Sequence, residues 1–292
     1  MSEKYLLRRT PSVLRRSALT LVLTFAATTA LIYSGWFQIG ADAGWGLFRD
    51  VNRKVHVAFG WTLPGMPDLG RFKERLTERG LALGAPVFMR IFKQEYELEL
   101  WMKREGRFVH FATYPICTYS GRLGPKLRQG DRQSPEGFYT VGRSQLNPNS
   151  RWRRSFNLGF PNILDASHYR TGSLLMVHGG CSSIGCYAMT NDVIDEVWTL
   201  INAALDKGQA QFAVHVFPFR MSDWRVSVHR DAESSGFWAD LKRGYDIFEE
   251  TNVPPTISVC NKRYVATQGS TQDSAPPLRH NCPLRDETAK SG

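Results

Sequence analysis

The sequence predicts a mainly β domain with a few helices, set behind an N-terminal apolar segment. Three observations carry that prediction. From Val87 to Tyr114 the apolar residues recur with period two, broken by a turn at Lys103-Arg104-Glu105-Gly106. Helical spacing is confined to short stretches near residues 69–83, 190–208 and 235–250. A basic head (Lys4, Arg8, Arg9, Arg15 and Arg16) precedes an uncharged stretch from Ser17 to Ala41. Side chains two apart share one face of a strand, whereas those three and four apart share one face of a helix, so the two periods separate the element types.

Taken in order, residues 1–16 form a cytosolic basic head and residues 17–41 a membrane anchor or a secretory signal. Positive charge ahead of the apolar segment holds the N-terminus in the cytosol and sends the rest of the chain across the membrane. Ala41-Asp42-Ala43 offers a small-x-small cleavage site, while the length of the segment favours an uncleaved transmembrane helix. Residues 42–84 read as a connector with one short amphipathic helix, residues 69–83, built on Phe72 and Leu76 and closed by Gly80 and Gly84.

The main domain is expected over residues 85–264. Residues 87–92, 97–102 and 107–114 read as its first three strands. The Gly- and Pro-rich run 120–142 reads as a long loop bordering a cleft, since long connections of that kind are usually functional or disordered. Residues 173–177 form an apolar run that delivers His178 to a rim. The clearest helix comes next: Thr190 or Asn191 caps it, acidic Asp192, Asp195 and Glu196 suit its positive end, Val193, Val197, Leu200, Ile201 and Leu205 make its buried stripe, and Gly208 stops it. Residues 211–219 alternate as a strand in which His215 reads as a core histidine. A helix over 235–250, with Phe237, Leu241 and Phe248 inward, and a closing strand over 257–264 complete the domain. Residues 265–292 lack periodicity and are expected to be disordered.

Chemistry concentrates in Val177-His178-Gly179-Gly180-Cys181-Ser182-Ser183-Ile184-Gly185-Cys186. A histidine eight residues before a cysteine, with glycines at both ends, supplies a thiol nucleophile and an imidazole to take its proton. Of five cysteines, Cys186 is expected to stay free, which leaves Cys117, Cys181, Cys260 and Cys282 for disulfides of unread connectivity. Cys181 stands in the same loop and reads equally as a redox partner, a rival nucleophile or a bystander. His178, Cys181 and Cys186 are too few and too irregularly spaced for zinc, so no metal and no cofactor are expected.

Ser183-Ile184-Gly185-Cys186 after Val177-His178-Gly179 resembles the active-site signature of the YkuD-type L,D-transpeptidases. The short His-to-Cys spacing and the continuation Tyr187-Ala188-Met189-Thr190-Asn191 are similar to the YafK-like branch. So are Tyr114-Pro115-Ile116-Cys117-Thr118-Tyr119-Ser120-Gly121, Gly130-Asp131-Arg132-Gln133-Ser134-Pro135-Glu136-Gly137-Phe138-Tyr139 and Val216-Phe217-Pro218-Phe219-Arg220-Met221, in order over roughly residues 85–263. The turn departs from the common Ser-His-Gly-Cys in having Ile184, and Ala188 stands where Arg is often found.

The resemblance implies an L,D-transpeptidase-like antiparallel β-sandwich with a few helices. It makes Cys186 the acylated nucleophile, His178 the base and Gly179 the carbonyl that holds the base, with the N–H groups of Gly185 and Cys186 as oxyanion donors. Tyr119, Arg122, Arg132 and Ser183 are expected to bind substrate. The implied substrate is the peptidoglycan stem tetrapeptide, and the implied activity is murein L,D-transpeptidation through a thioester. Two alternatives stand beside it: hydrolysis that releases a wall-attached lipoprotein or outer-membrane protein, and a catalytically idle, membrane-tethered peptidoglycan-binding protein. The formal net charge of +10 also admits a nucleic-acid surface, yet no recognition motif accompanies it; an anionic wall polymer meets the same electrostatic demand. The expected location is the inner membrane, with the domain in the periplasm, or the periplasm itself if the segment is cleaved.

Overall fold

The structure, a computed structural model, describes residue 24, residues 36–272, residue 275 and residues 277–282, with side chains for Thr24 and from residue 48 onward. The chain divides into two units, Met1–Asn52 and Arg53–Gly292. The transmembrane segment expected over 17–41 lies outside the described residues apart from Thr24 and residues 36–41. Among the described residues no helix is long and apolar enough to cross a membrane.

Helix α1 (Trp36–Phe59) runs for 24 residues, from the end of the expected anchor segment into the connector, where the sequence reading placed no helix before residue 69. Phe48, Val51, Val55 and Phe59 recur three and four apart, a helical spacing overlooked among the charged residues between them. The expected second helix is shorter than 69–83: a 3₁₀ turn, Leu69–Arg71, capped by Asp68, leads into α2 (Phe72–Glu78). It stops before Gly80, which takes the left-handed φ of 61° that a helix end favours in glycine.

From there the chain forms β1 (Val87–Phe92), β2 (Glu97–Arg104), β3 (Arg107–Pro115), β4 (Thr118–Tyr119), β5 (Gly137–Gly142), β6 (Leu146–Asn147), β7 (Ser155–Asn157), α3 (Ile163–Ser167), β8 (Met176–His178), β9 (Tyr187–Ala188), α4 (Asn191–Asp206), β10 (Gln211–Phe217), α5 (Asp223–Val228), α6 (Ser235–Thr251), β11 (Thr256–Cys260), β12 (Arg263–Thr267) and β13 (Arg279–His280). Three sheets result, ordered β3-β2-β1-β10-β5, β4-β9-β8-β7-β6 and β12-β11-β13. β1 is buried from end to end and sits at the centre of the first sheet. Its alternate side chains serve two layers: Val87, Met89 and Ile91 pack with the α4 stripe, while Phe92 packs with Trp238 and Leu241 of α6 and Phe88 with Phe248. That is why the strand reads as an unbroken apolar run interrupted by Arg90, whose guanidinium closes on Glu99 at 2.7 Å.

Several expectations need correction. The fold is mainly β, but the sheets are mixed: β1–β10, β8–β9 and β11–β13 pair in parallel. The long crossover from β1 to β10, which carries the whole candidate site, permits the first of these. The run 120–142 is a loop only as far as Glu136, after which β5 joins the sheet edge against β10. The closing strand is a hairpin, because Asn261 and Lys262 turn the chain with φ of 49° and 58°. The tail is not wholly structureless: β13 pairs with β11, and Cys282 is bonded to Cys260. His215 is a core residue as expected, wedged between Phe88 and Phe138 at 4.8 and 4.6 Å. Burial there pulls its pKa down to about 3, so it stays neutral.

One buried ion pair fixes the loop that precedes β5. Lys93 and Glu136 are both fully buried and lie 2.9 Å apart. Lys93 Nζ also donates to the carbonyls of Arg122, Gly124 and Ser134, at 2.7, 3.3 and 3.1 Å. Glu136 accepts from Gly124 N–H at 2.7 Å and from the Trp238 indole at 2.8 Å. Burial lowers the Lys93 pKa, and Glu136 opposes that shift. Removing one member strands the other charge in the interior, a change that typically costs about 3–5 kcal/mol. Lys93→Ala and Glu136→Ala are each expected to lower stability by that amount in denaturant titrations; a loss below about 1 kcal/mol would show that the pair does not anchor the loop.

Candidate active site

The catalytic candidates are placed by two short strands. β8 and β9 run parallel with Val177 opposite Tyr187 and His178 opposite Ala188. Extending that register by one sets Cys186 beside Met176, and Met176 N–H points at Cys186 Sγ from 3.4 Å. Residues 176 and 178 share one face of β8, so the register brings thiol and imidazole to the same side of the sheet. β8 is shorter than the expected 173–177: Leu174 sits outside it, 64% exposed and at a φ of 57°. Its carbonyl receives the thiol proton at 3.7 Å. Among the described residues, Sγ makes no hydrogen bond to His178.

His178 is buried, with Nδ1 2.5 Å from the carbonyl of Gly179. A carbonyl can only accept, so Nδ1 carries the hydrogen and Nε2 keeps the lone pair a base needs. Burial lowers the imidazole pKa, with the Gly179 hydrogen bond opposing. Burial also raises the Cys186 thiol, against the pull of Met176 N–H and the Lys126 charge. Desolvation is the largest influence on both groups and favours the neutral thiol and the neutral imidazole.

The four other cysteines are accounted for. Cys117 is bonded to Cys181, Cys260 to Cys282, and Cys186 is free. Cys181 is therefore no rival nucleophile in this state; its disulfide ties the glycine-rich loop to the end of β3. Thiol titration of the unreduced protein is expected to find one thiol per chain, alkylated at Cys186. Removing the Cys117–Cys181 bridge by a double serine substitution is expected to cost about 2–5 kcal/mol of stability.

The oxyanion candidates are already engaged. Gly185 N–H donates to Ser120 Oγ, and Cys186 N–H to Ser183 Oγ at 2.9 Å. Ser183 Oγ returns a hydrogen bond to the Cys186 carbonyl at 2.7 Å, which Ser134 Oγ reaches at 3.0 Å. Ser183 thus braces the turn through both its donor and its acceptor. Tyr119 packs between Tyr96 and Tyr187 at 4.8 and 6.2 Å, and burial raises its pKa. Arg132 is exposed at a left-handed φ of 53°, whereas Arg122 lines a pocket in the loop next to the turn. Sequence reasoning did not single out Ser120 and Ser134, although both lie inside the family-like motifs. It also missed Trp152, whose ring lies 6.1 Å from the His178 ring at 27°. A Cβ on Gly180 would meet that indole at 2.8 Å, so the glycine makes room for the stack.

This arrangement stands beside clear sequence relatives. The family model for the L,D-transpeptidase catalytic domain, YkuD, matches residues 90–216. YafK of Escherichia coli strain K12, whose name places it provisionally among the L,D-transpeptidases, is 48% identical over 195 residues, covering 67% of this chain and 79% of YafK. The chain belongs to the L,D-transpeptidase catalytic domain family. YafK of E. coli O157:H7 matches to the same extent. Among solved structures, the helical cell shape determining protein Pgp2 from Campylobacter jejuni aligns with a TM-score of 0.38 at 19% identity, covering 62% of this chain and 65% of that one. Bd1075 of Bdellovibrio bacteriovorus aligns with a TM-score of 0.34 at 20% identity, covering 56% and 60%.

Within this family member, Trp152 shields the imidazole from water, which sets the direction of a pH effect. A base works while neutral, so with His178 in the expected role of base, activity is expected to rise with pH through its pKa, which burial holds below the ordinary value. Trp152→Ala admits water and raises that pKa, so the acid limb of the kcat/KM profile is expected to move to higher pH than in wild type. An unmoved limb would remove Trp152 from the control of His178.

Proposed function

We propose that this chain is a murein L,D-transpeptidase that acts on peptidoglycan stem peptides through a thioester on Cys186. The observation that carries the reading is the free Cys186 thiol on the same sheet face as His178, whose tautomer the Gly179 carbonyl fixes. Family membership supports the same chemistry. Sγ attacks a stem-peptide carbonyl while its proton passes to His178 Nε2. The oxyanion takes N–H donors from Gly185 and Cys186 once the Ser120 and Ser183 hydroxyls yield. Collapse breaks the C–N bond, and the departing amine takes the proton from His178. A second amine then attacks the thioester and gives its proton to His178; the C–S bond breaks, the acyl group leaves on the new amide, and His178 returns the proton to Sγ, which restores the thiol.

We place the domain in the periplasm, held by the apolar segment over residues 17–41. The two disulfides support an oxidising compartment, and the basic head supports the orientation. Peptidoglycan is the partner, and nucleic acid is not.

The test compares the full-length protein with Cys186→Ala on sacculi that carry covalently attached lipoprotein, with mass spectrometry of the digested muropeptides. New cross-links between diamino acids, present with wild type alone, are expected. Released lipoprotein without new bonds would instead make water the acceptor and the enzyme a hydrolase. Identical digests would contradict the Cys186 mechanism and favour the binding protein.

A further inference from the structure

We propose that the pocket beside the catalytic turn, walled by the loop from Gly121 to Gln133 and the start of α6, binds a free carboxylate of a stem peptide; this rests on the acyl-transfer reading above. The pocket has a volume of about 950 Å³, a size that holds several peptide units. Arg122, Arg128 and Arg170 line it, together with Asp131 and Glu233 and an apolar wall that includes Phe237 and Trp238.

The charges do not cancel evenly. Asp131 is closed on Lys126, with further hydrogen bonds from the N–H groups of Leu127, Arg128 and Gln133. Arg170 is paired with Asp165 at 2.8 Å and stacks over Phe237 at 5.1 Å. That leaves Arg122 and Arg128, both exposed, on a pocket whose one other lining carboxylate is Glu233. A guanidinium presents a planar fork of N–H donors matched to a carboxylate, and the aromatic wall accepts the apolar body of a peptide.

The pocket is also preorganised and joined to the nucleophile. Lys93 and Gln133 hold the carbonyls of Arg122 and Gly124, which fixes the backbone that carries the Arg122 side chain. Arg122 is two residues from Ser120, whose hydroxyl takes the Gly185 N–H, so their Cα atoms lie within about 7.6 Å. A peptide with its carboxylate on Arg122 can therefore extend along the loop toward Cys186.

Calorimetry with full-length Cys186→Ala, which binds without turnover, tests the site. The probes are a stem tetrapeptide with its free C-terminal carboxylate and the same peptide amidated. Losing charge-assisted hydrogen bonds is expected to weaken binding about tenfold, either on amidation or in the Arg122→Gln/Arg128→Gln background. Equal affinity across all four combinations would overturn the proposal, as would stronger competition by inorganic phosphate than by acetate. The carboxylate can come from the donor or the acceptor stem. With Cys186 intact, the arginine double variant is expected to slow thioester formation, read by intact mass, if the donor is held. It is expected to slow only transfer to an amine-bearing peptide if the acceptor is held. If both rates are unchanged the pocket has no such role. Absence of any thioester in the parent would instead break the functional reading, while the calorimetry still decides the pocket.

Discussion

The buried Lys93–Glu136 pair is the constraint on which the site depends. It joins the end of β1 to the loop before β5 and, through the Trp238 indole, to α6. A charge pair removed from water is stabilising only when every donor and acceptor is used, and here Lys93 spends its remaining protons on three loop carbonyls. The loop consequently has one arrangement. That arrangement places Ser120 on Gly185 N–H and Ser134 on the Cys186 carbonyl. The turn that carries Cys186 is thus shaped from a salt bridge that never touches it.

A second constraint comes from sheet register. The parallel β8–β9 pair fixes which residues of the glycine-rich loop share a face, and the Cys117–Cys181 disulfide limits how far that loop can open. Burial then sets the protonation states. The interior disfavours charge on the Cys186 thiol and on the His178 imidazole alike.

Much of this was legible in the residues. The apolar run located β1, which is buried on both faces, and alternation located β2 and β3, because it survives wherever one strand face differs from the other. The α4 stripe was read correctly for the same reason at helical spacing. One short motif pointed to a free Cys186 and to the contact between His178 and the Gly179 carbonyl. What escaped were features set by distant contacts. β5 hid in a Gly- and Pro-rich run, because its place at the sheet edge depends on β10, some seventy residues later. Asn261-Lys262 was read through as strand, although asparagine tolerates the left-handed turn. α1 hid its spacing among charges. Ser120, Ser134 and Trp152 reach the site only through tertiary packing, and disulfide connectivity has no local signature.

The central claim is that Cys186 carries the acyl group. Its most direct test is to mix the full-length protein with a stem tetrapeptide donor, quench in acid, digest without reduction and map the adduct by tandem mass spectrometry. A peptide acyl adduct on Cys186, with the Cys117–Cys181 bridge intact, is the expected result. An adduct on Cys181, or product formation with no cysteine adduct in Cys186→Ala as in wild type, would contradict the claim.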